Sequence, residues 1–215
     1  MDITIRTART DDAPFLARVM LMASRSHMTY GLWDHFVGGT EQDCASFLER
    51  IAVTETPHLF HHDVFLIAER DGEKVAGLSG YDPVSHGMKI FYRIIPDVCK
   101  ESGWTDEDLK VASRRMSSYA ACMPEEIPGI WSVESVAAMP PARRQGIVSR
   151  LLIEIIAKGR AEGYAKGQIS VLTSNTAARM AYEKVGFHSV DEKRDPAFEA
   201  TYGDYGITRM IMDLR

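Results

Sequence analysis

The sequence predicts one mixed α/β domain, and three observations predict it. Apolar residues alternate with period two in some segments and recur at helical spacing in others, so strands and helices both form. The two kinds are interleaved along the chain in the order βα, α, ββ, an inserted region, then βαβαββ. No repeat, low-complexity tract or linker divides the 215 residues. A single domain over 1–215 is expected, with residues 84–129 as an insertion between the third and fourth strands.

The elements follow in order. "ITIRTA" alternates and predicts a first strand. Thr10, Asp11 and Asp12 are helix-start residues, and Phe15, Leu16, Val19 and Met20 then recur at helical spacing. "HMTYGLWDHFVGG" is aromatic and glycine-rich, which predicts a shaped loop. A helix starting near Thr40 carries Phe47, Leu48 and Ile51 inward. "DVFLIAER" and "KVAGLSGYDP" are two strands joined by an Asp71-Gly72 turn. In the insertion, "GMKIFYRIIP" fits helix or strand, while Thr105 and Asp108 make a capping-box pattern before a helix. "IWSVESVAAM" is a strand, followed by a helix to about Gly163. "GQISVLT" is a strand, and "SNTAARMAYEKV" a helix that Gly186 can end. "FHSVDEKR" and "GITRMIMDL" are the last strands, separated by a tyrosine-rich loop.

Composition narrows the function. At 45% hydrophobic and 26% charged the chain is ordinary globular material, and its net charge of −5 argues against general nucleic-acid binding. Cys44, Cys99 and Cys122 are odd in number and widely spaced, so neither a zinc motif nor a disulfide framework can be drawn from them. "MDITIRTART" lacks the apolar core of a signal peptide, and no apolar run is long enough for a bilayer. A soluble cytoplasmic protein, bound to neither nucleic acid nor membrane, is expected.

The segment most suggestive of chemistry is "PPARRQGIVSRLL", Pro140 to Leu152. Gly146 allows a backbone to approach a ligand without a Cβ, and the amides of Gln145 through Val148 would be first-turn donors lacking intrahelical partners. Arg143 and Arg144 add charge, and the helix dipole points its positive end the same way. Ile147, Leu151, Leu152, Ile155 and Ile156 anchor the helix. A phosphate or pyrophosphate suits such a place. No lysine follows Gly146 as a P-loop needs, and the three spaced glycines of a dinucleotide fingerprint are missing. The plain alternative is a surface helix with a positive entrance.

Over about 130–188 the sequence resembles the GNAT superfamily of acyl-CoA-dependent N-acetyltransferases. Their phosphate motif, Arg/Gln-x-x-Gly-x-Gly/Ala, is matched by Arg143-Arg144-Gln145-Gly146-Ile147-Val148. Their second motif is matched by Asn175, Ala177, Ala178, Tyr182, Gly186 and Phe187. Val148 departs from the family's Gly or Ala, which puts the clearance between helix and pyrophosphate in question. Arg144 replaces a common glycine and adds charge.

The resemblance implies a central mixed, mostly antiparallel twisted sheet of about seven strands flanked by helices. It also implies acetyl-CoA as co-substrate, no metal, a small-molecule primary amine as acceptor, and direct attack in a ternary complex. Dimers occur in the family, so a homodimer is left open. The pantetheine arm would run along Val136, Ala137, Ala138 and Met139, with an amide near Val136 or Ala138 meeting the oxyanion. Tyr182 would donate to the leaving thiolate, since a phenol of pKa ~10 can protonate a thiolate of pKa ~8.5; otherwise it anchors its helix. Asn175 is an N-cap or a cofactor ligand. Glu134, a carboxylate inside an apolar strand, is the candidate base, against an outward-facing glutamate or a water-relayed path.

Tyr30 and Trp33 fall in the segment that walls the acceptor pocket in the family, and their aromatics could equally be loop packing. Tyr202 and Tyr205 would close the other wall. His58, His61 and His62 form a cluster better explained as a loop than as a metal site. Met180, Met210 and Met212 are expected in the core. Two other functions remain in view: a CoA-binding sensor without turnover, and a protein N-terminal or lysine acetyltransferase.

Overall fold

Residues 2–215 are described by the structure, a computed structural model, and Met1 lies outside the described residues. Strands β1 (Ile3–Thr7), β2 (Phe65–Arg70), β3 (Glu73–Tyr81), β4 (Trp131–Ala138), β5 (Lys166–Leu172), β6 (His188–Arg194) and β7 (Gly206–Asp213) form one seven-stranded sheet. Their order is β1-β2-β3-β4-β5-β7-β6, antiparallel throughout except between β4 and β5. The expected mixed, mostly antiparallel sheet is therefore present. Asp71 and Gly72 turn between β2 and β3 with φ of 52° and 85°, the left-handed pair that a two-residue hairpin needs.

The helices are α1 (Ala13–Arg25), α2 (Leu32–Val37), α3 (Glu41–Ala52), α4 (Pro83–His86), α5 (Met88–Glu101), α6 (Asp106–Arg115), α7 (Ser117–Cys122), α8 (Ile147–Ala161), α9 (Thr176–Glu183) and α10 (Pro196–Tyr202). They cover both faces. The two-residue pleat of β2 sends Phe65 and Ile67 toward α1 and α3, and Leu66 and Ala68 toward α8. All four predicted apolar residues of α1 and all five of α8 are buried.

Four expectations change. The aromatic segment after α1 contains α2, where the Asp34 side chain accepts from the Gly31 amide at 2.8 Å and Arg25 anchors the same carboxylate at 2.7 Å. The ambiguous "GMKIFYRIIP" belongs to α5, with Pro96 inside it. A proline there leaves the Tyr92 carbonyl without its helical donor, which is what blurred the pattern. The tyrosine-rich loop holds α10. Met180 is 66% exposed rather than core, whereas Met210 and Met212 are buried. Among the described residues no helix is long and apolar enough to cross a membrane. Cys44, Cys99 and Cys122 are free and buried.

Candidate active site

β4 and β5 pair only through Trp131–Val133 and Gly167–Ile169. Beyond Val133 they part. At that point Ser135 takes a left-handed conformation, φ 54°, and the β3–β4 register slips between Gly77 and Ser79. An extra residue in one strand bends it and ends its pairing. Just before the split, Gln168 Nε2 donates to Ser132 Oγ at 2.8 Å and ties the two strands. A cavity of about 1090 Å³ opens at the split.

One end of this cavity is the entrance to α8. Gly146 is the helix N-cap, with φ 76° and ψ 2°. Arg144 is also left-handed, at φ 59°. The first recorded amide bond of the helix runs from Arg150 to the Gly146 carbonyl, 3.1 Å. The amides from Arg144 to Ser149 donate to no group among the described residues, so the cradle is longer than the expected Gln145–Val148. A Cβ on Gly146 would meet no protein atom within 4 Å. The left-handed angle favours glycine there, and the side on which a Cβ would stand is open space. Val148 packs partly against the core while still lining the cavity.

The loop before α8 is held from both sides. Arg143 Nε donates to the Ala138 carbonyl at 3.1 Å, Gln145 Nε2 to the Pro141 carbonyl at 2.8 Å, and Arg70 to Gln145 Oε1 at 2.7 Å. Arg143 and Gln145 thus shape the loop, while the exposed Arg144 lines the cavity with no protein partner recorded for its side chain. Met139 donates to the Val75 carbonyl across β3 at 2.8 Å. The alternation of an antiparallel ladder then turns the groups of Ala138 and Val136 to the opposite edge, along the split.

Tyr182 and Glu134 both line the cavity. Tyr182 is 7% exposed, and its phenol makes no hydrogen bond to protein among the described residues. Burial, and secondarily the nearby Glu134, hold its pKa above the usual phenol range. Glu134 faces inward. Enclosure by protein, then the charge of Glu126, pushes its carboxyl up to about 7, while its accessible surface is what it shows to the cavity. Asn175 caps α9: its Oδ1 accepts from the Ala178 amide at 3.0 Å, and its Nδ2 donates to Ser26 Oγ. Capping accounts for the residue, and it lies on the cavity wall as well.

The acceptor side differs from expectation. Trp33 lines the cavity from within an aromatic cluster with Phe36 and Phe60, but Tyr30 is 64% exposed and lies away from it. Tyr202 is packed edge-on to His35 and beside Phe198, and Tyr205 sits outside against Arg194. Neither lines the cavity. That wall is made instead by the insertion, with Met88, Tyr92, Tyr119, Met123 and Glu126. Glu126 and Tyr119 carry no sequence signal, because irregular chain and a six-residue helix have no readable period.

The histidines divide. His58 is a satisfied core residue, bonded to Thr54 Oγ1 at 3.0 Å and to the Phe60 amide at 3.1 Å. Burial lowers its pKa to about 3. His61, His62 and Asp63 bring ligand atoms within 4.8 Å of one another, though the His61 ring already accepts from the Asp63 amide.

The α8 entrance, the parted β4–β5 pair and the tyrosine on α9 thus meet at one cavity. The profile of the acetyltransferase (GNAT) family matches residues 28–187. The chain belongs to this family of acetyltransferases. Among curated proteins none matches it in sequence. A solved acetyltransferase is similar at 21% identity and TM-score 0.72, over 99% of this chain and 100% of that one. An N-acetyltransferase from Staphylococcus aureus Mu50 is similar at 16% and 0.63, over 97% and 100%. The ribosomal-protein-S18-alanine N-acetyltransferase from Escherichia coli is similar at 17% and 0.55, over 99% and 94%. At these identities the likeness is one of fold.

Proposed function

We propose that the protein moves an acetyl group from acetyl-CoA to the primary amine of a small molecule, by direct attack in a ternary complex. The observation that carries this reading is the shared cavity, which joins partnerless amides at α8 to a half-buried carboxylate and a buried phenol at the split. The amides of Arg144–Ser149, with Arg144 beside them, suit a diphosphate. The edge of β4 from Val136 to Met139 suits an amide-bearing arm. When bound there, acetyl-CoA supplies an activated thioester at the split.

The chain's own residues then have three tasks. Glu134, with a pKa near 7, takes the proton of the incoming amine. An edge amide of β4, at Ala138 or Val136, donates to the oxygen as negative charge builds on it. Tyr182, kept protonated by burial, donates to the departing sulfur. Acceptor size is read from the insertion: α5, α6 and α7 wall the far end of the cavity, which favours a small molecule over a protein segment.

The direct test is thiol release from acetyl-CoA on adding small primary amines. Release with a free-amino peptide and with no small amine would replace this reading by protein acetylation. Tight CoA binding with no release from any amine would replace it by a sensor.

Gly146→Ala separates the cradle from the fold. The left-handed φ strains alanine by about 1 kcal/mol, and the added methyl projects where no protein atom stands. Calorimetry should show acetyl-CoA affinity falling at least about tenfold, a loss larger than that strain alone predicts only if the methyl meets the ligand. Unchanged affinity would move the diphosphate elsewhere.

A further inference from the structure

The charges lining the cavity are segregated. Arg143 and Arg144 stand at the α8 end, while Glu125, Glu126 and Glu134 stand at the split and beyond, with no lysine or arginine among them. Glu125 is at the rim, 3.9 Å from Lys193. Glu126 is fixed differently. Its Oε1 accepts from the Met88 amide at 2.8 Å, at the start of α5, and the carboxylate lies so close over Gly87 that a Cβ there would collide with it. Its charge reaches Glu134. Two carboxylates that repel each other across a cavity are relieved together by one cation placed between them.

Aromatic and methionine side chains form much of that chamber's wall. Phe36, Met88, Tyr92, Tyr119 and Met123 are among them. Phe36 is wedged among Trp33, Phe47 and Trp104, at centroid distances of 6.1, 5.7 and 5.5 Å, so the wall is preformed. An acceptor carboxylate would meet Glu126 and Glu134.

Resting on the acetyl-transfer reading above, we propose that the acceptor is a hydrophobic monoamine without a carboxylate, an aromatic ethylamine type. Glu126 is its specificity-determining residue. The ammonium is received between Glu126 and Glu134, and the ring lies against Phe36, Met88 and Tyr92. Glu134 then removes the proton, and Glu126 holds position without taking part in the transfer.

The test uses the full chain with acetyl-CoA and three probes: 2-phenylethylamine, phenylalanine and 1,4-diaminobutane. Phenylalanine has the same ring plus a carboxylate; the diamine has two charges and no ring. The expected result is kcat/KM for phenylethylamine at least about tenfold above both others, because the carboxylate of phenylalanine is repelled by Glu126 and Glu134 and the diamine has no ring to cover the apolar wall. Glu126→Gln, which keeps an oxygen for the Met88 amide, should raise KM for phenylethylamine about tenfold with kcat little changed, and narrow the gap to phenylalanine. Preference for phenylalanine or the diamine overturns the proposal, as does an unchanged ratio in Glu126→Gln. Acetyl-CoA binding by the variant, measured by calorimetry, shows that it is folded. Turnover of some other amine class, with none of phenylethylamine, overturns the acceptor assignment and leaves acetyl transfer standing. No acetyl-CoA binding by the native chain overturns both.

Discussion

Tyr182→Phe is expected to lower kcat by about 10²–10³-fold, the usual contribution of a placed general acid. KM for acetyl-CoA and the unfolding midpoint should stay near the native values. The reason is specific to this side chain. Its ring is buried in the core beside α8 and would remain in phenylalanine, while its hydroxyl has no protein partner to lose. A tyrosine serving only to anchor α9 would give the opposite pattern, with kcat preserved. Steady-state thiol release and a thermal melt on the same preparation decide between them.

Glu134→Gln is expected to lower kcat/KM for the amine by about 10²-fold and to flatten its acid limb. In the native protein that limb should fall below pH about 7, because a protonated Glu134 cannot accept the amine's proton. A limb that persists in the variant would assign deprotonation to a water path. Stability should move the other way. The folded pKa of Glu134 lies above its unfolded value of 4.5, so the group favours the fold when protonated and loses that contribution as pH rises through about 7. At pH 8 the glutamine variant, which buries no charge, should unfold at higher denaturant, a gain of about 1–3 kcal/mol. Lower activity with higher stability is the signature of a carboxylate kept for chemistry.

These residues differ in how far the sequence announced them. Gly146 and Asn175 sit at helix starts, where capping and dipole rules tie residue type to position, whereas Tyr182 was marked by the family motif that the sequence resembles. Glu134 stood out as a charge in an apolar strand, but which side of the sheet it faced was open. The pairing of β4 on β3, with Glu134 opposite Ser79, decides that, and nothing about a serine in "WSVESVAAM" announces the left-handed backbone that follows at Ser135. Tyr30 was placed on the acceptor wall by its neighbourhood and lies outside it. Trp33, only three positions on, turns inward because α2 forms between Gly31 and Gly38. Tyr202 was misplaced for a related reason: α10 folds it against Phe198 and Tyr119, away from the cavity. Glu126 was invisible, since its role comes from α5 arriving over it.

The sequence by itself determined the strands, the helices α1, α3, α6 and α8, the hairpin and the α8 entrance, because each is set by side-chain period or backbone angle within a few neighbouring residues. Only the tertiary structure decided where β4 and β5 part, which carboxylates share the cavity and which aromatics wall it. Those depend on contacts between residues far apart in the chain, such as Met88 with Glu126 and Gly77 with Ala137. Local propensity carries no information about partners that only packing brings together.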